Sequence, residues 1–393
     1  MKKVLPFILA GLIMVFATGS HPDYLNSYLG DNCQVLDLGN ANLSLLGTDL
    51  GAQVFLSGAQ WHGTTTNYDL HFALLTALNS QAGVRSLLLD SGYGTAQVYN
   101  DYIQTGDLEL LRLALDGIRF SNSSNNEHRL FWENLYQYNQ QLPPAERITV
   151  VGIDIEYQVG TALGYLNYLS DQRFTELCPI TEYLGDTPAL DKYVSGVQAQ
   201  LRNQPASFAE IFGEDLPRFR LILQNLADTV TTDRHPDFYV QREKLLYANC
   251  LAALARDPQA KFFGHFTMEH IFQRQVQTGN LAQGDRLAML LSQEDSPFQG
   301  VVSFAALYRD SELRFYYGRY ETYRVFNFYI TDPLPQPTAD CTLYKLNGPN
   351  SPYAWAPYTI ISPTGGAATD YYQYLLIVQN SKPTTPNLLA PSN

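Results

Sequence analysis

The strongest constraint on the fold is an alternation of short apolar runs with longer stretches of helical periodicity. Five short, largely apolar runs are typical of buried strands, at residues 52–56, 86–89, 148–152, 261–264 and 301–304. The first two are separated by TNYDLHFALLTALNSQAG, whose apolar residues recur at helical spacing and which closes on a glycine. Further helical stretches, TAQVYNDYIQTG and NEHRLFWENLYQYNQQLPP, precede the third run. The pattern predicts an α/β fold, with a mostly parallel central sheet flanked by helices.

The chain is long for one compact core. At 393 residues it predicts either one large α/β domain with insertions or two domains. We interpret residues 21–312 as the α/β domain, with a helical insertion at about 161–258, where the strand signal disappears. Residues 313–380 are aromatic and β-like and read as an extension of the same domain. The Pro-, Ser- and Asn-rich tail, 381–393, is predicted to be disordered.

The amino terminus has the pattern of an export signal. Residues 1–20, MKKVLPFILAGLIMVFATGS, combine two lysines, an apolar run and small residues suited to cleavage. No later run has the length of about 20 apolar residues that a membrane span needs. No cysteine directly follows the apolar run. We therefore expect an exported protein, periplasmic or extracellular, with no membrane attachment after cleavage.

Charge and cysteine content narrow the range of partners. The formal net charge of −13 disfavours nucleic acid and anionic lipid, and leaves a small molecule as the expected partner. The oligomeric state is not determined by the sequence. The four cysteines, Cys33, Cys178, Cys250 and Cys341, have no metal-ligand spacing. One or two disulfides and isolated buried thiols are both compatible with the sequence.

Tyrosine is abundant, with 27 residues in the chain. The stretches FYYGRYETY and TDYYQYLL have two interpretations, as the lining of a sugar or polyketide groove or as amphipathic strand faces. The alternating pattern favours strand faces.

Polar side chains follow four of the predicted strands. In chain order they are Gln60 and His62, then Asp90, then Asp154 and Glu156, then His265, Glu269 and His270. Because ligands bind beyond the carboxyl ends of parallel strands, we expect these side chains to converge at one edge of the sheet. Two imidazoles with nearby carboxylates can take a proton from water and return one to a leaving group. The arrangement predicts an acid–base hydrolase.

Each of these residues also has a structural interpretation. A histidine after a strand is often only a hydrogen-bonded ring, and Asp90 or Asp154 can cap the following helix. A metal site built from His62, His265, His270 and a carboxylate is a further alternative. Because no tight metal-binding spacing is present, we predict neither a metal nor a cofactor. The sequence also contains no G-x-S-x-G nucleophile motif.

The same segments carry a resemblance to a known family. The chain resembles the erythromycin esterase-like hydrolases, which share a fold class with the ChaN-type proteins. Residues 58–63, GAQWHG, match the family motif G-E-x-x-H-G except at Ala59, and Asp90 occupies the position of the second acidic residue. VVGIDIE is similar to the strand that leads into a G-x-D segment. REKLLYAN, with Arg242 and Asn249, and KFFGHFTMEHI match two later motifs. The resemblance spans roughly residues 50–310 and does not include the aromatic carboxyl-terminal region.

The resemblance implies roles for individual residues. His62 would be the general base that activates water against an ester or lactone, Asp90 its acidic partner, and His270 the late histidine. Where the family pairs two histidines three residues apart, this chain has Thr267. We expect the supporting residues to be Gln60, Trp61, His71, Asp154, Glu156, Arg242, His265 and Glu269.

The departure at Ala59 separates two hypotheses. In the first, the protein is a metal-independent hydrolase in which Gln60 or Glu156 supplies the missing polar contact. In the second, it is a catalytically degraded member that binds a small molecule or a glycan in the same crevice. A purely structural surface protein is a third interpretation.

Overall fold

A computed structural model describes residues 27–60, 62–275, 284–316, 319–325, 337, 339–355 and 366–387. The predicted export signal and Trp61 lie outside these residues. Among the helices that are described, none is long and apolar enough to cross a membrane.

Within these residues, ten strands form two sheets. They are β1 Cys33–Val35, β2 Val54–Ala59, β3 Ser86–Leu89, β4 Thr149–Gly152, β5 Phe262–Thr267, β6 Val301–Arg309, β7 Ser311–Tyr316, β8 Tyr320–Val325, β9 Cys341–Lys345 and β10 Tyr374–Gln379. Eight of them form the central sheet in the order β1-β9-β10-β6-β2-β5-β3-β4, and β7 and β8 form a separate antiparallel pair. The neighbours from β10 to β4 are all parallel, whereas β9 is antiparallel to both of its neighbours. The α/β fold with a mostly parallel central sheet is therefore confirmed.

The helices connect and cover these strands. They are α1 Thr65–Ala82, α2 Tyr93–Thr105, α3 Leu108–Gly117, α4 Asn126–Gln141, α5 Val159–Leu169, α6 Phe174–Leu177, α7 Thr187–Asn203, α8 Pro205–Phe212, α9 Leu216–Asp233, α10 Phe238–Arg256 and α11 Leu287–Leu291. Local sequence explains several of their ends. Helix α1 stops at Gly83 and α2 at Gly106, both in the left-handed conformation that favours glycine. The side chains of Asn125 and Asp186 cap α4 and α7.

The predicted strands are continuous apolar runs because both faces of the sheet are covered. Along β2, Phe55 packs into the layer with α1 and α4, whereas Val54 and Leu56 pack into the opposite layer. All three side chains are 0% exposed. A strand buried on both faces has no polar side, so the alternation of half-exposed strands is missing from its sequence.

Helices α5 to α10 fill the chain between β4 and β5, the region in which a helical insertion was predicted. Part of this region has its own aromatic core. Phe219 is stacked on Phe212 with ring centroids 4.5 Å apart, and Phe174 and Phe208 contact the same ring. These four side chains belong to the same buried cluster as Phe55 of the sheet.

The carboxyl-terminal region completes the sheet. Strands β9 and β10 extend it beyond β6, and Tyr374 of β10 is fully buried against Phe304. The second tyrosine stretch is thus part of the core. In the first stretch, Tyr320 and Tyr323 lie on β8 and are 38% and 43% exposed.

The prediction of a disordered tail is wrong for residues 381–387. Ser381 and Thr384 are buried, and residues 381–386 run across the first turns of α1 and α4, making backbone hydrogen bonds to both. We call residues 381–386 the C-terminal strap. The composition predicted disorder because the partners that stabilise this segment are distant in the chain and leave no local signal. Residues 388–393 lie outside the described part.

Candidate active site

The polar residues that follow the strands lie at one edge of the sheet. His62 follows β2, Asp90 follows β3 and Asp154 follows β4, and these strands all run in one direction. His270 lies just beyond β5, in the short 3-10 helix Met268–Ile271. Parallel strands present their carboxyl ends on the same side, so residues that are far apart in sequence become neighbours here.

The half-buried His62 is held by its neighbour in the chain. Gly63 has a φ of 84°, and a Cβ added to it would lie far inside contact distance of the Arg314 carbonyl oxygen. The Gly63 carbonyl oxygen accepts hydrogen bonds from the amides of Arg314 of β7 (2.8 Å) and Thr384 of the strap (3.0 Å). Only glycine fits this conformation and this close approach, which explains its place after the histidine.

His62 has an environment suited to a base. Limited hydration lowers the pKa of His62, the charge of Asp90 raises it and that of His270 lowers it further, with a net lowering below 6.5. The imidazole is therefore neutral at neutral pH and can accept a proton.

Asp90 is electrostatically coupled to the rest of the group. Its side chain reaches solvent, but the surrounding protein limits its hydration and raises its pKa, and the nearby charge of Asp154 raises it further. Arg242, His270 and His62 act in the opposite direction. The carboxylate of Asp90 therefore lies within electrostatic range of both predicted histidines.

Asp154 and Arg242 form a buried ion pair. The Arg242 Nε donates to both carboxylate oxygens of Asp154 at 2.9 Å, and the Arg242 Nη2 also contacts Oδ2. Asp154 is 0% exposed. Asn249, seven residues after Arg242 on α10, donates to the Ile153 carbonyl oxygen at 2.8 Å. Seven residues are about two helical turns, so both side chains leave the same face of α10 and fix the segment that follows β4.

His270 is held by a carboxylate that sequence reasoning missed. Its Nδ1 lies 2.8 Å from Glu243 Oε1, although the N–H direction is poorly aligned for a hydrogen bond. Glu243 is 3% exposed, accepts from the Leu287 amide at 2.8 Å and lies 3.6 Å from Arg286. Burial alone would raise the pKa of Glu243. The nearby His270, together with the charges of Arg286 and Arg242, outweighs burial, and the net effect is a lowered pKa. The only sequence signal for Glu243 was its position beside Arg242.

His265 and His71 lie deeper, between β5 and α1. Their rings are stacked, with centroids 4.8 Å apart, and His71 is also stacked on Phe131 at 4.3 Å. The Nε2 of His265 is 3.0 Å from Asn67 Oδ1, which also accepts from the Tyr308 hydroxyl at 2.7 Å. Burial lowers the pKa of both histidines, that of His265 to about 3. His265 interacts electrostatically with His62, whereas His71 serves core packing.

Glu156 has a different role from the predicted one. It is 1% exposed, and its carboxylate accepts from the amide of Thr95 at 3.0 Å and from the Thr95 hydroxyl at 2.7 Å. Burial raises its pKa to about 7. These contacts place Glu156 at the amino-terminal turn of α2. Glu156 therefore does not replace the polar contact that a glutamate at position 59 would make.

The remaining predicted residues have less defined roles. The backbone amide of Gln60 donates to the Ala306 carbonyl oxygen at 2.9 Å. The side-chain Oε1 of Gln60 is buried and has no partner among the described residues. Glu269 is half-exposed and makes no hydrogen bond or ion pair within the same part of the chain. In those ranges, no three His, Cys, Asp or Glu side chains converge as ligands for a metal.

Comparison with known proteins identifies the fold. No family model and no curated protein sequence matches the chain. A Bacillus cereus protein solved by structural genomics is 15% identical, with a TM-score of 0.65, and the match covers 93% of this chain and 99% of that one. A succinoglycan biosynthesis protein is 14% identical, with the same TM-score and coverage.

A third solved structure tests the predicted resemblance. A mutant of the erythromycin esterase EreC in its open conformation is 12% identical, with a TM-score of 0.58 over 91% of this chain and 100% of that one. The predicted relation to ChaN-type proteins stays a prediction, because the Campylobacter jejuni ChaN structure has a TM-score of 0.29. The chain thus has an erythromycin esterase-like fold, at a sequence identity that establishes the fold and not the activity.

Proposed function

We propose that the protein is an exported hydrolase that cleaves an ester or lactone bond with His62 as the general base. The observation that carries the proposal is the position of His62 at the end of an interior strand, under the electrostatic influence of both Asp90 and His270. The signal-like sequence of residues 1–20 supports export.

In the proposed mechanism, the neutral His62 takes a proton from water while the water oxygen attacks the carbonyl carbon of the substrate. The Asp90 carboxylate stabilises the imidazolium that forms. When the tetrahedral intermediate breaks its bond to the alkoxy oxygen, that oxygen receives the proton from the His62 imidazolium, and an acid and an alcohol leave. In this mechanism His270, whose Nδ1 lies beside the Glu243 carboxylate, donates a hydrogen bond to the developing negative charge.

Fixed charges support this chemistry. Arg242 is locked on Asp154, so its positive charge stays near Asp90 without occupying the Asp90 carboxylate directly. Ion pairs that are buried and bidentate hold their geometry better than exposed ones, and geometry determines how effective a base is.

The test is hydrolysis of a panel of nitrophenyl esters and lactones by the full chain and by His62→Ala. Loss of a positioned general base reduces rates by about 100-fold or more, and we expect this loss with an unchanged melting temperature. His235→Ala is the matched control, because His235 is exposed and its ring hydrogen-bonds to the Asp237 main chain. Equal rates for the wild type and His62→Ala would reject the proposal.

A second candidate function is the binding of a small molecule or glycan without turnover. The observation that favours it is Ala59, which stands where the related motif has a glutamate and is 1% exposed in the core. If no ester is hydrolysed, ligand-dependent increases in melting temperature across a metabolite panel are the expected result for this function. Ala59→Glu is a weak discriminator, because it would bury a new carboxylate at a cost of its own.

A further inference from the structure

A separate cavity lies between the helical region and the loop that follows β4. Its volume is about 680 Å³, within the range of small-molecule pockets. Its walls come from the end of α3, residues 155–161, residues 180–187 and the end of α9. None of His62, Asp90 and His270 lines it.

The cavity exposes large apolar side chains. Tyr157, Ile180 and Tyr183 line it and are 49%, 44% and 84% exposed. Exposed aromatic and aliphatic side chains that share one concave surface are typical of a binding site. Apolar side chains scattered singly over a surface are not.

The charged residues of the cavity wall are all acidic. They are Asp116, Glu156, Glu182, Asp186 and Asp233, and no Lys, Arg or His of the described residues lines the cavity. Two of them are compensated from outside the wall, Asp116 by Arg119 at 2.6 Å and Glu182 by Lys192 at 2.9 Å.

Two further carboxylates accept hydrogen bonds, Asp186 from the Ala189 amide of the helix that it caps and Asp233 from a hydroxyl group. Asp186 and Asp233 form no ion pair within the described part of the chain. They are neighbours, because the Thr187 hydroxyl donates to Asp233 and Thr187 directly follows Asp186. Both are exposed at the cavity, where they favour a cationic group by charge complementarity.

One wall residue has an unmade hydrogen bond. Thr161 is 2% exposed, and its hydroxyl oxygen, which lies beside Gly117 of the same wall, has no partner in the described ranges. A buried hydroxyl without a partner is uncommon in proteins, and this oxygen lies just behind the cavity surface, closed to solvent.

We propose that this cavity binds an apolar molecule that carries a protonated amine. The apolar part would lie against Tyr157, Ile180 and Tyr183, with the amine at Asp186 and Asp233. The Arg242 guanidinium lies over the Tyr157 ring, with its central carbon 5.6 Å from the ring centroid, so one wall residue of the cavity adjoins the Arg242–Asp154 ion pair. In a hydrolase, the cavity would hold the non-reacting part of the substrate, but the binding itself does not depend on hydrolysis.

The test uses three fluorescent probes with the same dansyl group and different charges. They are dansylcadaverine, its neutral N-acetyl derivative and the carboxylate dansyl-aminohexanoate, each titrated into the full chain at low and high salt. We expect saturable, blue-shifted fluorescence with the affinity order amine, neutral, carboxylate, and about tenfold or more between amine and carboxylate. High salt should narrow that difference.

The variants assign the charge preference to the cavity. Asp186→Asn with Asp233→Asn should remove the preference for the amine and leave the affinity of the neutral probe unchanged, since Asn at 186 still caps α7. Glu294→Gln with Asp295→Asn removes two exposed charges elsewhere and should change nothing. Tighter binding of the carboxylate, equal affinities for all three probes or no saturable binding would each overturn the proposal. His62→Ala should keep the full probe affinity, so a failure of the proposed hydrolysis is distinguishable from a failure here.

Discussion

At the scale of single residues, this site is a set of side chains held in buried pairs. Arg242 is fixed on Asp154, and Glu243 holds His270 next to Arg286. Removing one member of a buried ion pair leaves the other uncompensated, which typically costs about 3 to 5 kcal/mol. The supporting carboxylates are therefore tied to stability as well as to any catalytic role.

Glu156 gives a prediction for pH dependence. Burial raises its pKa from 4.5 to about 7, so the folded protein binds this proton more tightly than the unfolded chain does. The stabilisation is complete below about pH 4.5 and is lost as the pH rises to about 7. Glu156→Gln cannot titrate, so its free energy of unfolding should improve relative to the wild type by on the order of 3 kcal/mol between pH 4 and pH 8.

Urea unfolding of both proteins across this pH range measures the effect. Glu109→Gln is the control, because Glu109 is an exposed residue in the first turn of α3 and should show a small difference. A difference between Glu156→Gln and the wild type that does not change with pH would contradict the predicted shift.

At the scale of elements, the loop that carries His62 depends on segments from the other end of the chain. The strap and β7 both donate to the Gly63 carbonyl oxygen, the Thr65 amide donates to Lys382 at 2.8 Å, and Arg314 Nη1 donates to the Thr384 carbonyl oxygen at 2.5 Å. The loop is held from two sides, so the position of His62 is set by long-range contacts.

Deletion of residues 381–393 tests this dependence. It removes the hydrogen bonds of the strap to the first turns of α1 and α4 and leaves buried polar groups unpaired, each worth about 1 to 3 kcal/mol. We expect a melting temperature lower by several degrees and, if the protein hydrolyses esters, a larger loss in kcat than in substrate affinity. Calorimetry and steady-state kinetics measure the two effects.

Deletion of residues 388–393 is the matched control. It keeps every contact of the strap described above, so both quantities should stay at their wild-type values. If the longer deletion behaves like the shorter one, the strap does not hold the His62 loop.

At the scale of the whole molecule, one extended sheet organises the chain, and both of its faces are covered. The layer with α1 to α9 and the layer with α10 and α11 lie on opposite sides of β2. This arrangement buries enough apolar surface that cross-links are not required. The four cysteines accordingly remain separate thiols, three of them buried and Cys33 exposed.

Thiol titration gives the corresponding prediction. With an aromatic disulfide reagent and no reductant, one cysteine should react in the native protein and four in denaturant. Burial and Asp31 raise the pKa of the Cys33 thiol, so its reaction should be slow at neutral pH. Fewer than four reactive thiols after unfolding would mean that a disulfide forms.

The sequence by itself determined the five parallel strands and the polar residues that follow four of them. Both signals are local: a strand covered on two faces is a continuous apolar run, and the residue after a strand is read directly from the chain. The positions of His62, Asp90, Asp154 and His270 at one edge followed from the rule for parallel sheets.

Only the tertiary structure decided which of those residues have partners. Glu243 beside His270, Thr95 beside Glu156 and the strap beside Gly63 are contacts between segments that no periodicity connects. Hydrogen bonds and buried ion pairs depend on distances within a few tenths of an ångström, and those distances are set by the packing of the whole chain.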